Sequence, residues 1–378
     1  MNILIVSNYI STSKTLDFYQ SQQINLAKSL KKLNLNVSII SGKRNPDSKD
    51  YEVIDNVDIK FLNVFKFFPE RLLNQTILLN LWKSLKSSNF DIVQTSEYQS
   101  LTTLIIAVYC LIFNKKMIIY QGVYRESDNF FVQLLSKIWD VFFGFIIVKA
   151  TNVVVCKTKK SADFLTKKKF TKKVVIPVGV NVELFNFKND SLIMKKDKVR
   201  FLMVGNLIKL KNYSQIIDSL KLLKEKAVDF NLIIIGKGVL LDDILSQIDA
   251  LCLNDNIKII DNITNNKMQY YYLNSDFTLS FSLKEIFGMT ILESMSCGCP
   301  VISNFMPGPS DVIINGFNGF KISSNSCSNI ANSIFKIING PPLSRLKIAQ
   351  YTSKNYSWDA IAERYNIVYK KIINNEYS

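Results

Sequence analysis

Residues 284–294 read KEIFGMTILES, two glutamates eight positions apart around a single glycine. A helix is expected to begin at Gly288 or Met289 and to run to about Cys297. Before it stands a short apolar run, 277–280, and after it another, 300–303. Strand, loop, helix and strand in that order make a parallel α/β unit with a right-handed crossover.

The same rhythm extends in both directions. Upstream it runs through 200–204 (strand), 213–226 (helix), 230–235 (strand), 240–250 (helix), 257–260 (strand) and 267–274 (helix), and a closing strand falls near 319–322. The first half has its own series: strands at 1–7, 37–41, 91–94, 116–120, 153–156 and 174–177, with helices at 22–33, 101–113 and 130–148. The polar stretch 186–198 separates the two series. Continuous apolar strands flanked by amphipathic helices mean sheets covered on both faces. Two doubly wound domains with a cleft between them follow, their ligands at the carboxyl ends of the strands.

Composition narrows the chemistry. A chain of 378 residues exceeds one ordinary core, and 48% hydrophobic content argues for packed domains rather than disorder. There is no histidine, which removes His triads, His general bases and His-ligated zinc. The six cysteines show no framework spacing and read as free thiols of a reducing compartment. Cys297-Gly-Cys299 has no second pair to complete a metal site, so no metal and no cofactor is expected. No uninterrupted apolar run reaches the roughly 18 residues that cross a bilayer, the longest being 104–113 and 141–148, and residues 1–7 read as a strand rather than a signal peptide.

Charge is unevenly spread. Residues 1–180 carry 25 basic and 13 acidic side chains, the remainder 22 and 18. A basic first half points to an anionic partner, although abundant lysine throughout the chain is the plainer reading. The helix at 130–148 carries Phe131, Leu134, Leu135, Ile138, Phe142 and Phe145 on one side, suited either to a core or to a membrane surface. Eight lysines between Lys157 and Lys173 form a solvated face or a lipid-phosphate contact. They lack the interleaved aromatics of a nucleic-acid site, so no nucleic-acid partner is expected.

Within 284–294, Glu285 falls in the loop before the helix and Glu293 about one turn inside it, roughly 6 Å along. The glycine lets a ligand approach the backbone, and the amides of Gly288, Met289 and Thr290 face outward at the positive end of the helix dipole. An anion flanked by hydroxyls, as in a nucleoside-diphosphate sugar, fits this arrangement; so do two ordinary acids at a helix N-terminus. Gly205, followed by Asn206, Lys209 and Lys211, ends the strand 200–204 and places cations for a diphosphate.

These residues resemble family 4 of the nucleotide-sugar-dependent glycosyltransferases. Its signature of two glutamates separated by seven residues, with phenylalanine and glycine after the first, stands here as Glu285-Ile-Phe287-Gly288-Met289-Thr290-Ile-Leu-Glu293. Met295-Ser-Cys-Gly-Cys-Pro-Val301, Pro307-Gly-Pro-Ser-Asp311 and Asn315-Gly-Phe-Asn-Gly319 follow in family order. Ile176-Pro-Val-Gly-Val-Asn181 with Phe185, and Tyr356-Ser-Trp358 with Ile361 and Tyr365, match the entry to the second domain and the helix that returns to the first. The resemblance implies the GT-B architecture: two facing Rossmann-like domains, an N-terminal acceptor-side domain over 1–182, a donor-binding domain over 183–355, and a returning C-terminal helix over 356–378.

It also implies roles. Glu285 would contact the donor sugar, Glu293 the ribose hydroxyls and Lys211 the diphosphate. Asn206 stands where the family has arginine, and Lys209 is a candidate to supply that charge. The family's glycine-rich first loop is here Tyr9-Ile-Ser-Thr-Ser-Lys-Thr15, with Ser13 and Lys14 as possible substitutes, and its histidine position holds Gln121. Arg125 is a candidate acceptor- or phosphate-facing cation. The implied activity is metal-free, retaining transfer of a sugar to a lipid-linked or surface-polysaccharide acceptor, by a cytoplasmic protein peripheral on the inner face of an anionic membrane. A nucleotide-sugar epimerase of the same fold, or a non-catalytic sugar-nucleotide binder, are the alternatives.

Overall fold

The computed structural model describes residues 1–8, 21–43, 49–66, 76–124, 129–187, 198–261 and 263–377. Its chain divides into two compact units, Met1–Gly179 with Trp358–Ser378, and Val180–Ser357.

The first unit opens with β1 (Asn2–Ser7), α1 (Gln22–Lys32) and β2 (Asn36–Gly42). A hairpin follows, β3 (Tyr51–Ile54) with β4 (Val57–Leu62), and then the short pair β5 (Val64–Lys66) and β6 (Thr76–Leu78). The series continues as α2 (Leu81–Ser87), β7 (Ile92–Ser96), α3 (Leu101–Phe113) and β8 (Lys116–Gln121). Next come α4 (Phe130–Trp139) and α5 (Phe145–Ala150), joined by a π-helical turn at Asp140–Gly144, and then β9 (Val153–Cys156), α6 (Lys159–Thr166) and β10 (Lys173–Val175). The main sheet runs β10-β9-β8-β7-β1-β2-β4-β3, parallel except for β3. Strands such as β9, Val-Val-Val-Cys, are buried on both faces because helices cover the sheet from both sides.

The second unit holds β11 (Val199–Val204), α7 (Tyr213–Glu225), β12 (Phe230–Ile235), α8 (Leu241–Ala250), β13 (Ile257–Ile260) and α9 (Asn265–Leu273). It goes on with β14 (Phe277–Ser280), α10 (Met289–Ser296), β15 (Val301–Ser303), α11 (Pro307–Val312), β16 (Gly319–Lys321), α12 (Cys327–Ile338) and α13 (Arg345–Tyr356). Its sheet, β13-β12-β11-β14-β15-β16, is wholly parallel over a core that includes Phe201, Phe230, Leu279 and Ile302. Finally α14 (Trp358–Ile373) belongs to the first unit. It is fastened to α1 through Asp359, which accepts from Ser29 at 2.6 Å and pairs with Lys32 at 2.9 Å.

Residues Phe130–Ala150 correct the sequence reading of bilayer length. Counted as an unbroken apolar string they fall short. Joined through the π turn they make one 21-residue helix with the length and composition of a membrane span. The expected apolar side is not core: Phe131 is 67% exposed, Phe142 62% and Phe145 65%. The opposite side is anchored, with Trp139, Ile146, Ile147 and Val148 packed in the first unit's core.

Candidate functional site

In the second unit β11 lies between β12 and β14, so strand order reverses there. The loops leaving β11 and β14 therefore open side by side at the carboxyl edge, where doubly wound sheets bind their ligands. Leu283 N donates to Leu210 O at 2.8 Å and stitches the two loops together. The consequence is an ion pair across them: Lys211 Nζ lies 2.8 Å from Glu285 Oε2, which also accepts from Ser282 Oγ at 3.3 Å. Both side chains keep an exposed part, 30% for Lys211 and 17% for Glu285.

The helix begins where the sequence placed it. Gly288, at φ +84°, is the N-cap of α10 and has no side chain with which to cap it. That backbone region is costly for residues with a Cβ. Glu293 sits one turn into α10, half-buried, and accepts from Tyr272 Oη at 2.8 Å. Met289 and Thr290 are half-buried in the first turn. Asn206 and Lys209 are exposed on the loop after β11. The Phe287 ring is different: it is buried, so what this position turns to a ligand is backbone.

The glycines of this edge are there for close approach. A Cβ on Gly236 would come 1.9 Å from Gly205 O, one on Gly238 2.4 Å from Leu207 O, and one on Gly308 2.2 Å from Phe287 Cα. The β11 and β12 loops are thus packed backbone on backbone, and α11 presses directly on the 285–288 loop.

The first unit has the matching reversal at β1, which lies between β7 and β2. Gln121, at the end of β8, is buried, and its amide is occupied: Oε1 accepts from Tyr98 N at 3.1 Å and Nε2 donates to Val123 O at 3.1 Å. It clips two loops together. Sequence reasoning passed over Glu97, which follows β7 at φ +61° and accepts from Gly122 N at 3.0 Å. Burial pushes its carboxyl up to about 6, against the hydrogen bonds from Gly122 and Val123 and the charge of Lys157. Its one advance signal was a carboxylate placed just beyond the carboxyl end of a strand. Ser13, Lys14 and Arg125 lie outside the described residues.

Cys297 and Cys299 are buried with both thiols pushed above the ordinary range by that burial, which opposes thiolate chemistry. Among the described residues there is no cluster of metal-ligating side chains.

Sequence comparison carries the same division. The family described as "Glycosyl transferases group 1" matches residues 185–362, and "Glycosyltransferase Family 4" matches residues 22–184. Two Rossmann-like units of this topology are the GT-B fold, and with the two family matches spanning residues 22–362 the chain belongs to glycosyltransferase family 4. It is 25% identical over 351 residues to an uncharacterized glycosyltransferase of Methanocaldococcus jannaschii, covering 87% of this chain and 88% of that one. It is 25% identical over 309 residues to the UDP-Gal:alpha-D-GlcNAc-diphosphoundecaprenol alpha-1,3-galactosyltransferase of Escherichia coli, covering 77% of this chain and 76% of that one. Among solved structures, sucrose-phosphate synthase from Thermosynechococcus elongatus superposes with a TM-score of 0.75 at 17% identity, over 99% of this chain and all of that one.

Proposed function

We propose that this glycosyltransferase moves a sugar from a nucleoside-diphosphate donor to a lipid-linked or surface-polysaccharide glycan, with retention of anomeric configuration and without a metal. The observation that carries the donor half is the Lys211–Glu285 pair beside the N-terminus of α10, with Glu293 one turn along. Lys211 and the first-turn amides supply positive charge for a diphosphate. On binding, the diphosphate takes over Lys211, and Glu285 is released to accept from sugar hydroxyls. Glu293, already a hydrogen-bond acceptor, receives the ribose hydroxyls. As the glycosidic bond breaks, the electron pair leaves on the diphosphate. The acceptor oxygen bonds to the anomeric carbon, and its proton goes to the departing phosphate oxygen, a step that needs no histidine.

The Escherichia coli relative, whose name specifies a UDP-sugar and a diphosphoundecaprenol acceptor, supports both ends of this reading. The exposed apolar helix Phe130–Ala150 supports the rest: a cytoplasmic protein held on the inner face of the membrane. Its polar side is engaged, Ser136 by Gln99 and Asp140 by Tyr98 and Lys168, so it lies along the surface rather than through it.

The test is thermal shift with UDP, GDP and ADP, followed by transfer assays with the matching sugar nucleotides and membrane lipid extract. One diphosphate at about 100 times its dissociation constant stabilises by about 2.7 kcal/mol. Turnover then proceeds unchanged in EDTA and yields the donor's own anomer. No stabilisation by any diphosphate sinks the proposal, and sugar isomerisation without acceptor replaces it with an epimerase.

A further inference from the structure

Tyr272, in the last turn of α9, is one of the largest side chains wholly enclosed by the protein. Phenylalanine would fill the same volume without an oxygen that has to be satisfied in the interior. Here the oxygen has a specific use. Tyr272 Oη donates to Glu293 Oε2 at 2.8 Å, joining α9 to α10 across 21 positions of sequence. A hydroxyl donating to a carboxylate makes one of the stronger side-chain bonds.

The donor is braced and the acceptor is not. Phe185 meets the Tyr272 ring edge-on, with centroids 5.8 Å apart and planes at 75°. Arg345, at the start of α13, donates from Nη2 to Tyr272 O and Leu273 O at 3.0 Å each, and from Nη1 to Ser275 O at 2.8 Å. One turn earlier Gln269 Nε2 donates to Asn186 O and Asn186 Oδ1 at 2.9 Å each. Ring packing, a guanidinium clamp on the end of α9 and this further tie fix where the phenol points. Glu293 is half-buried on a helix flank, with a long side chain that has much rotamer freedom to lose. A glutamate ordered only when its ligand arrives subtracts that loss from affinity, whereas one ordered beforehand does not. A binding carboxylate held by a buried, braced neighbour is therefore pre-organised.

We propose that Tyr272 is a positioning residue for the donor: its hydroxyl holds Glu293 in the rotamer that receives the ribose hydroxyls, so preference for an intact ribose is set from α9 as well as from α10. The proposal deepens the proposed function and rests on its assignment of Glu293 to the ribose.

The probes are UDP, GDP and ADP, each beside its 2′,3′-dideoxy counterpart, with dissociation constants from calorimetric titration of the full chain. In the wild type at least one ribonucleotide binds about 10- to 100-fold more tightly than its dideoxy form, and Glu293→Ala removes that preference. Tyr272→Phe, which keeps the ring against Phe185, lowers the preference roughly 3- to 10-fold, the value of ordering one side chain. Dideoxynucleotide affinity stays at the wild-type value, whereas a purely structural tyrosine would weaken both nucleotides alike. Adding Tyr272→Phe to Glu293→Ala lowers the preference no further, because the hydroxyl acts through the carboxylate. Phe185→Leu, which loosens the ring and keeps its hydroxyl, serves where Tyr272→Phe loses its near-UV circular dichroism; it lowers the preference in the same direction. An unchanged preference in Tyr272→Phe, or in Phe185→Leu where that variant stands in, overturns the inference, as does equal weakening of both nucleotides. Nucleotide binding without ribose preference in the wild type removes the role of Glu293 and the inference with it, while the diphosphate reading stands. Failure of every diphosphate to bind removes the proposed function itself.

Discussion

Lys211 and Glu285 are 74 positions apart, yet their side chains meet at 2.8 Å because two neighbouring strands end together. A half-buried pair whose two side chains still reach solvent adds about 1 kcal/mol to folding. Lys211→Ala should therefore leave urea unfolding nearly unchanged and weaken UDP binding by about 10- to 100-fold, the value of a charge-assisted bond to phosphate. Calorimetric titration measures it; equal affinity in the variant removes Lys211 from the diphosphate.

Glu97 makes a prediction in pH. Its folded carboxyl is raised from 4.5 to about 6, so the folded protein holds this proton more tightly than the unfolded chain. The contribution is present below pH 4.5 and is lost as pH rises through 6, by about 2 kcal/mol in all. Among the described residues Lys157, Tyr120 and Cys156 are the other titratable groups that face it, and burial keeps the tyrosine and the thiol uncharged over this range. Urea titrations should show this fall across pH 4.5–6 in wild type and a flatter profile in Glu97→Gln; matching profiles refute it. The two glutamates around Gly288 were legible in the sequence because helix geometry fixes their spacing. Glu97 was not, since a lone acid in a polar loop has no periodicity. Gln121 was legible as a position but not in its role, because one of the two groups that occupy its amide, Tyr98 N, comes from the end of another strand.

At the scale of elements, strands buried on both faces and helices with an apolar stripe declared themselves, and α3, β9, β12, β13 and β14 fall on the expected residues. The β3–β4 hairpin did not. Its turn, Asp55-Asn56, has both residues at positive φ, a two-residue turn that suits strand twist, but its strands are short and their apolar residues are interrupted by Glu52, Asp58 and Lys60. The edge that carries the loops after β11 and β14 depends on glycines whose need is visible only in three dimensions. Gly236, at φ +157° with a prospective Cβ 1.9 Å from Gly205 O, cannot accept a methyl without moving the loop after β11. Gly316, at φ +75°, has nothing within 4 Å. Gly316→Ala should thus cost about 1 kcal/mol, from backbone alone. Gly236→Ala adds overpacking of about 1–3 kcal/mol and, in displacing Gly205, weakens nucleotide binding as well. Paired denaturant curves and UDP titrations decide this: equal losses in the two variants mean that the loops give way easily.

For the whole molecule the governing quantity is a net charge of +16 concentrated in the first half, together with one apolar helix turned outward. Sequence alone left that helix between core and membrane, since its apolar side reads the same in either setting. Burial separates them: the polar residues Ser136 and Asp140 face the protein, while Phe131, Phe142 and Phe145 face out. Asp140 also pairs with Lys168 at 2.6 Å, which sets one lysine of the run from Lys157 to Lys173 beside the helix. In the proposed membrane attachment apolar insertion and lysine attraction act together, each lysine near an anionic bilayer contributing about 1 kcal/mol. The protein should sediment with phosphatidylglycerol-rich vesicles and much less with phosphatidylcholine alone. Because those rings are already in water, Phe131→Ser, Phe142→Ser and Phe145→Ser should each change folding stability by no more than about 0.5 kcal/mol. Each should nevertheless lower vesicle partitioning severalfold, as burying an aromatic ring is worth about 1.5–3 kcal/mol when complete. Raising salt to 0.5 M should remove the lysine contribution and leave the aromatic one, so the ratio of wild-type to Phe142→Ser partitioning persists as both fall. Loss of that ratio would make attachment purely electrostatic, and wild-type protein that stays in the supernatant at low salt would remove the membrane from the account altogether.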